Sequence, residues 1–145
     1  MSDNAGFLDF IRNTMQVSPV FLPTDSPVIE QSYQLALVVV SPQIQQISSL
    51  LYDTAVYNLA ADYLINYAPD VAPYDFFEQL RAKFDCIGFV SGVITSSSDS
   101  GTSQSLQVPS AFNEITLSDL QRFKTKYGRR YVEIAQQCSN QWGFL

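Results

Sequence analysis

The side chains that most often do chemistry are sparse in this sequence, and those present stand apart. No histidine occurs among the 145 residues, which removes the commonest general base and metal ligand, and with it most triads and zinc sites. The carboxylates are scattered. Asp53 and Asp62 lie nine residues apart in one apolar stretch, which gives no reason to expect them to converge for acid–base work. Cys86 and Cys138 stand in no CxxC spacing and read as buried free thiols acting as small apolar residues. There is no Gly-rich phosphate loop, nucleophile elbow or dinucleotide fingerprint. The expectation from these residues is a chain that is not an enzyme, with no catalytic, cofactor-binding or metal-ligating set and no cofactor.

Charge carries more information. The net charge of -6 is unevenly placed: residues 1–80 hold nine acids and one base, Arg12, while residues 81–145 hold seven bases and five acids. Five of the eight bases, Arg122, Lys124, Lys126, Arg129 and Arg130, fall within nine positions. Identical subunits can use such polarity to associate head to tail, although a basic helix face bathed in solvent has the same composition. The same cluster interleaves bases with Phe123 and Tyr127, a pattern also found in nucleic-acid binders. A pI of about 4.3 argues against a phosphate grip by the whole protein. Charged residues are only 15% of the chain and hydrophobic ones 46%, against about 25% charged in an average soluble protein. That balance predicts apolar or hydroxyl-bearing surface covered by a partner.

The elements that must position these residues are mostly helical. Phe7, Phe10, Ile11 and Met15 mark a short amphipathic helix, and Pro19 and Pro23 an extended connection after it. Ser26-Pro27 with Glu30 is a start signal for a second helix running to about Val40. Ser41-Pro42 restarts the chain. A third helix, Gln43 to Ala68, carries Leu50, Leu51, Ala55, Val56, Leu59, Ala60, Tyr63, Leu64 and Tyr67 around most of its circumference. Thr54, Asn58, Asp62 and Asn66 form one narrow polar stripe. A helix apolar on most sides is contacted on most sides, so this one is central. A fourth helix is expected from about Tyr74 to Ile87, stopped by Gly88.

Period two then takes over. Phe89–Thr95 and Gln104–Val108 read as strands around a Ser/Gly-rich tip, Ser96–Ser103, which makes either a β-hairpin arm or a disordered surface loop. Ser118-Asp119-Leu120-Gln121 is a capping box opening a last helical region that Gly128 interrupts. Trp142, Phe144 and Leu145 crowd the final four positions and are expected to dock, on the same subunit or on a neighbour. The fold class is therefore mainly α: a small helical bundle around a central apolar helix, with a projecting β-hairpin or extended arm and an extended C-terminal tail. It is one domain over 1–145, with a helical body at about 4–88 and 116–138, an arm at about 89–109 and a tail at 139–145. The longest purely apolar run, Leu35–Val40, is far short of the ~20 residues of a membrane span. The start Met1–Gly6 lacks the pattern of a signal peptide, so assembly in the cytosol is expected.

Taken together, the early short helix, the helix Ser26–Val40, the Ala/Tyr-rich central helix, the Ser/Gly-rich hairpin and the closing Thr125-Lys126-Tyr127-Gly128-Arg129-Arg130-Tyr131 resemble the head–tail connector (adaptor) proteins of tailed bacteriophages. The last segment is similar to a "T-x-Y-G-x-x-Y" signature near the C-terminus of that family. The likeness spans nearly the whole chain as an order of elements, and about ten residues as a literal motif. Members often carry a tryptophan just before the signature, where this chain has Phe123.

The resemblance implies a homo-oligomeric ring, commonly of twelve copies, in the neck of the virion and assembled in the host cytoplasm. Such a ring docks under the portal protein, extends the DNA channel without sequence-specific DNA binding, and receives the next neck or tail protein. Partner contacts are then expected at Arg122, Lys124, Lys126, Tyr127, Gly128, Arg129 and Arg130, at Trp142, Phe144 and Leu145, and at the strand residues Val93, Ile94, Leu106 and Val108. The alternatives are another neck or tail component, such as a stopper or terminator, and a small helical ligand-binding or regulatory domain. The last would use a pocket at Tyr57, Tyr63 and Tyr67.

Overall fold

A computed structural model of the chain describes residues 3–84, 86, 96–99, 102–105 and 122–142, with the backbone alone described for 96–99, 102–105 and 139–142. Among these residues the fold is mainly helical, and no helix is long and apolar enough to cross a membrane.

Helix α1, Asn4–Asp9, opens where the Asp3 carboxylate accepts the Gly6 N–H at 2.6 Å, and runs on as a π-helical turn, Phe10–Thr14. Phe7 and Ile11, four residues apart and so on one face, are both fully buried in the core. The connection to the next helix is folded rather than extended. Turns at Ser18–Leu22 and Pro23–Ser26 bury Val17 and Leu22, and Arg12 braces them by donating to the carbonyls of Val17 (3.1 Å) and Leu22 (2.7 Å). The prolines set local φ but leave carbonyls that a guanidinium can gather.

Helix α2, Pro27–Val39, starts with proline at its first position and Glu30 in its first turn; the Ser26 hydroxyl makes no capping bond. The single helix expected over Gln43–Ala68 is two. Helix α3, Gln43–Ile47, ends at Ser48, which is extended (φ -161°, ψ 126°) and caps α4, Ser49–Tyr67, by accepting the Leu51 N–H at 3.3 Å. A serine that satisfies an orphan N–H competes with helix continuation, and here the break lets α3 turn Ile44 into the core.

Helix α4 is central. It packs against α2, α3, α5 (Phe76–Lys83) and α6 (Lys126–Trp142). Its middle supplies Ala55, Val56, Leu59, Ala60, Ala61, Leu64 and Ile65, all essentially sealed from solvent, while its ends emerge, with Leu50 74% and Tyr67 72% exposed.

Helix α5 is shorter than the expected Tyr74–Ile87; Ile87 and Gly88 lie outside the described residues. Its first turn is capped from a distance by Asp70, whose two oxygens accept the N–H groups of Phe77 (2.6 Å) and Glu78 (3.1 Å). Helix α6 is continuous through Gly128, so the expected interruption is absent. It also carries residues 139–142, so that part of the expected extended tail is helical.

A short antiparallel ladder pairs β1, Ser96–Asp99, with β2, Thr102–Ser105, in the register Ser96↔Ser105 and Asp99↔Thr102. The pairing thus takes in most of the Ser-rich stretch Ser96–Ser103 read as the tip, together with Gln104 and Ser105 of the expected second strand. The expected strand Phe89–Thr95 and the capping box at Ser118 lie outside the described residues.

Candidate functional site

The basic segment is built onto α4 by one buried junction. The Thr125 hydroxyl donates to the Asp62 carboxylate at 2.5 Å and accepts the Gly128 N–H at 3.0 Å, so Thr125 is the N-cap of α6. Asp62 is only 3% exposed, and burial raises its carboxyl from 3.8 to about 6 against the opposing pull of Thr125, Arg122 and Asn66. The polar stripe of α4 is therefore not a water-facing edge in its middle. Asn58 and Asp62 lie inside the bundle, and the Asn58 and Asn66 side chains donate to the carbonyls of Thr54 and Asp62, both at 2.8 Å. Every buried side-chain N or O among the described residues has a partner.

The segment Thr125–Tyr131 is largely spent on this docking. Gly128 lies where a Cβ would collide with the Arg122 carbonyl, so the chain can enter the helix this tightly only with glycine. Tyr127 is buried edge-on against Phe10, ring centroids 6.1 Å apart, and the Arg122 guanidinium lies over Tyr131 at 5.2 Å and donates to the Tyr63 hydroxyl at 3.4 Å. Of the expected partner contacts, Tyr127 and Gly128 thus face inward, and Arg122 and Lys124 are half-buried. Lys126, Arg129 and Arg130 face solvent along one side of α6; Arg130 pairs with Glu133 at 3.1 Å and Arg129 donates to the Phe123 carbonyl at 2.8 Å. Trp142 is placed by its backbone at the end of α6. Phe144, Leu145, Val93, Ile94, Leu106 and Val108 lie outside the described residues.

The tyrosines of α4 do not converge on a pocket. Tyr57 packs against Phe7 and Phe10 and its hydroxyl accepts the Asp3 N–H, Tyr63 holds Arg122, and Tyr67 stands in solvent. A cleft of about 200 Å³ lies elsewhere, between the end of α2, α3 and the middle of α6, lined by Val39, Ile44, Tyr131, Ala135 and Cys138 among others. Cys138 is buried, which pushes its thiol pKa up, and Cys86 is half-buried; both are free. No group of three or more Cys, Asp or Glu able to hold a metal occurs among the described residues.

Two surfaces were not singled out from the sequence. On α2, Leu35, Val38 and Val39 are exposed, Val38 by 83%, and Leu50 follows at the start of α4. The signal for this surface is a stretch without any charged side chain, Gln31–Tyr52. The second is aromatic. Phe21 stacks on Phe76 at 4.5 Å and meets Tyr74 edge-on at 5.3 Å, with Val20, Val71 and Tyr74 exposed around them. These residues come from the loop before α2 and from the loop and first turn of α5, far apart in sequence, so no local pattern marks them. Comparison with protein-family models, curated proteins and solved structures finds no match to this chain.

Proposed function

We propose that this chain is a structural assembly subunit, and specifically a head–tail connector (adaptor) subunit of a tailed bacteriophage. It would form a homo-oligomeric ring under the portal protein, extend the DNA channel and receive the next neck or tail component. The observation that carries the assembly reading is the exposed apolar side chains Leu35, Val38 and Val39 at the end of α2 and Leu50 at the start of α4, all in the stretch Gln31–Tyr52 that holds no charged residue. Protein interfaces are depleted of charge at their centres, and an apolar surface of this kind marks a contact for another protein.

The connector reading adds the resemblance of Thr125–Tyr131 and of the order of elements. What supports giving that segment a structural role is that Thr125 bonds Asp62 of α4, Tyr127 packs on Phe10, and Gly128 and Tyr131 pack against Arg122, while Lys126, Arg129 and Arg130 stay outside. Stoppers and terminators tend to be β-rich, so a mainly helical body favours the connector among neck components. The hairpin, carried as a projecting arm, would reach an adjacent subunit or the portal. A predominantly acidic channel would let DNA slide without the counterion release that a basic one provokes.

Electron micrographs of the purified protein, alone and mixed with an isolated portal, test this reading. Rings seated on the portal are expected. Particles that stay small and separate from the portal at every ratio would count against it.

A further inference from the structure

Building on the assembly reading above, we infer that successive copies join through two different faces: the acid-rimmed aromatic patch beside α5 on one copy, and the basic row Lys126, Arg129 and Arg130 of α6 on the next. The patch has an apolar centre, the exposed Val20, Val71 and Tyr74 over the Phe21–Phe76 stack. Its rim is acidic. Asp75 and Glu78 are exposed at the start of α5, and Asp70 directs its carboxylate at the same helix end. Of the bases on the same elements, Arg81 is turned to the carbonyls of Ile65 and Ala68 at the end of α4, and Arg12 to those of Val17 and Leu22.

The row on α6 is its electrostatic complement. Lys126, Arg129 and Arg130 recur at helical spacing on the exposed side of the helix, beside the face that buries Tyr127, Tyr131 and Ile134, with one acid among them, Glu133, paired to Arg130. Helices α5 and α6 each pack chiefly on α4, and among the described residues the ion pair made by the row is Arg130 with Glu133 of its own helix, not with Asp75 or Glu78. Complementary charge around an apolar centre fits the anatomy of a protein interface, in which the charges steer and set register and the buried aromatic supplies affinity. The occupant is a second copy, because this chain itself supplies the complement. Joining unlike faces is a head-to-tail contact, which closes into a ring when the rotation per copy allows.

Charge exchange tests the pairing. Asp75→Lys with Glu78→Lys reverses one face, and Lys126→Glu with Arg130→Glu reverses the other. Both pairs are solvent-exposed, and unchanged circular dichroism establishes that each variant folds. Mass is read by light scattering over a concentration series at low and high ionic strength. Wild type is expected to associate, more strongly at low salt. Each variant alone should stay monomeric, and an equimolar mixture should recover the wild-type mass, because every contact in an alternating assembly is again complementary. Tyr74→Ser should weaken wild-type association about tenfold or more. If the wild type associates and neither reversal matters, or the mixture does not recover, the pairing of faces is wrong while the assembly reading stands. A wild type that stays monomeric throughout the series removes the pairing, and rings that then form on an isolated portal would preserve the connector reading without it.

Discussion

At the scale of single residues, Asp62 shows how an acid can be a structural group. Its carboxyl is raised from 3.8 to about 6 by burial, so between those values the folded chain keeps a proton that the unfolded chain has released. The stability linked to this group is complete below about pH 3.8 and is lost as pH rises through about 6. Chemical denaturation should therefore give a lower unfolding free energy at neutral pH than near pH 4, by up to about 3 kcal/mol from this carboxyl. Asp62→Asn, which keeps an acceptor for Thr125, should flatten that slope; an equally steep variant would place the effect elsewhere. Thr125→Val removes a donor from the carboxylate and an acceptor from the Gly128 N–H at once. It should cost about 2–4 kcal/mol and push the Asp62 carboxyl higher still, measurable by urea melts across pH. Gly128→Ala would ordinarily favour a helix by about 1 kcal/mol. Here the added methyl meets the Arg122 backbone, so a lower melting temperature is expected.

Among the elements, α4 decides the core. Leu59 is fully buried in the middle of that helix, and Leu59→Ala should cost about 2–5 kcal/mol in denaturant unfolding, depending on how far its neighbours collapse. Ala60 is equally buried, and small residues there let neighbouring elements approach. Ala60→Leu should destabilise by about 1–3 kcal/mol through overpacking. Arg12 belongs to this scale because it ties a loop rather than a partner. Its bonds to Val17 and Leu22 carbonyls hold the turn that buries both side chains, and partial burial lowers its pKa. Arg12→Ala should loosen that loop first, seen as faster amide exchange at Val17 and Leu22 with the α4 core protected.

For the whole molecule, the question is what covers the surface that the chain leaves open. Leu35, Val38 and Leu50 each cost little to replace within the subunit because they already stand in water. Val38→Ser with Leu50→Ser should leave the melting temperature of the isolated chain within a few degrees, and on the connector proposal should abolish co-sedimentation with an isolated portal. Retained binding would move the contact to another surface.

Sequence by itself determined what local physics controls. The even apolar wrapping of residues 50–67 announced a central helix, and Ser26-Pro27 announced the start of α2, since periodicity and proline geometry act within a few residues. The concentration of bases at 122–130 was legible because charge is additive. Tertiary structure alone decided the rest. It split α3 from α4 at Ser48 and carried α6 through Gly128: both the Ser48 cap on Leu51 and the approach of Gly128 to the Arg122 backbone are local contacts, selected by how the flanking helices pack. It turned Asp62 from a polar stripe into the buried partner of Thr125, a residue 63 positions away. It divided the basic segment into inward anchors and an outward row, and gathered Phe21, Tyr74 and Phe76 into one patch. Such contacts join residues that no window on the chain brings together, so their energies leave no local mark in the order of residues.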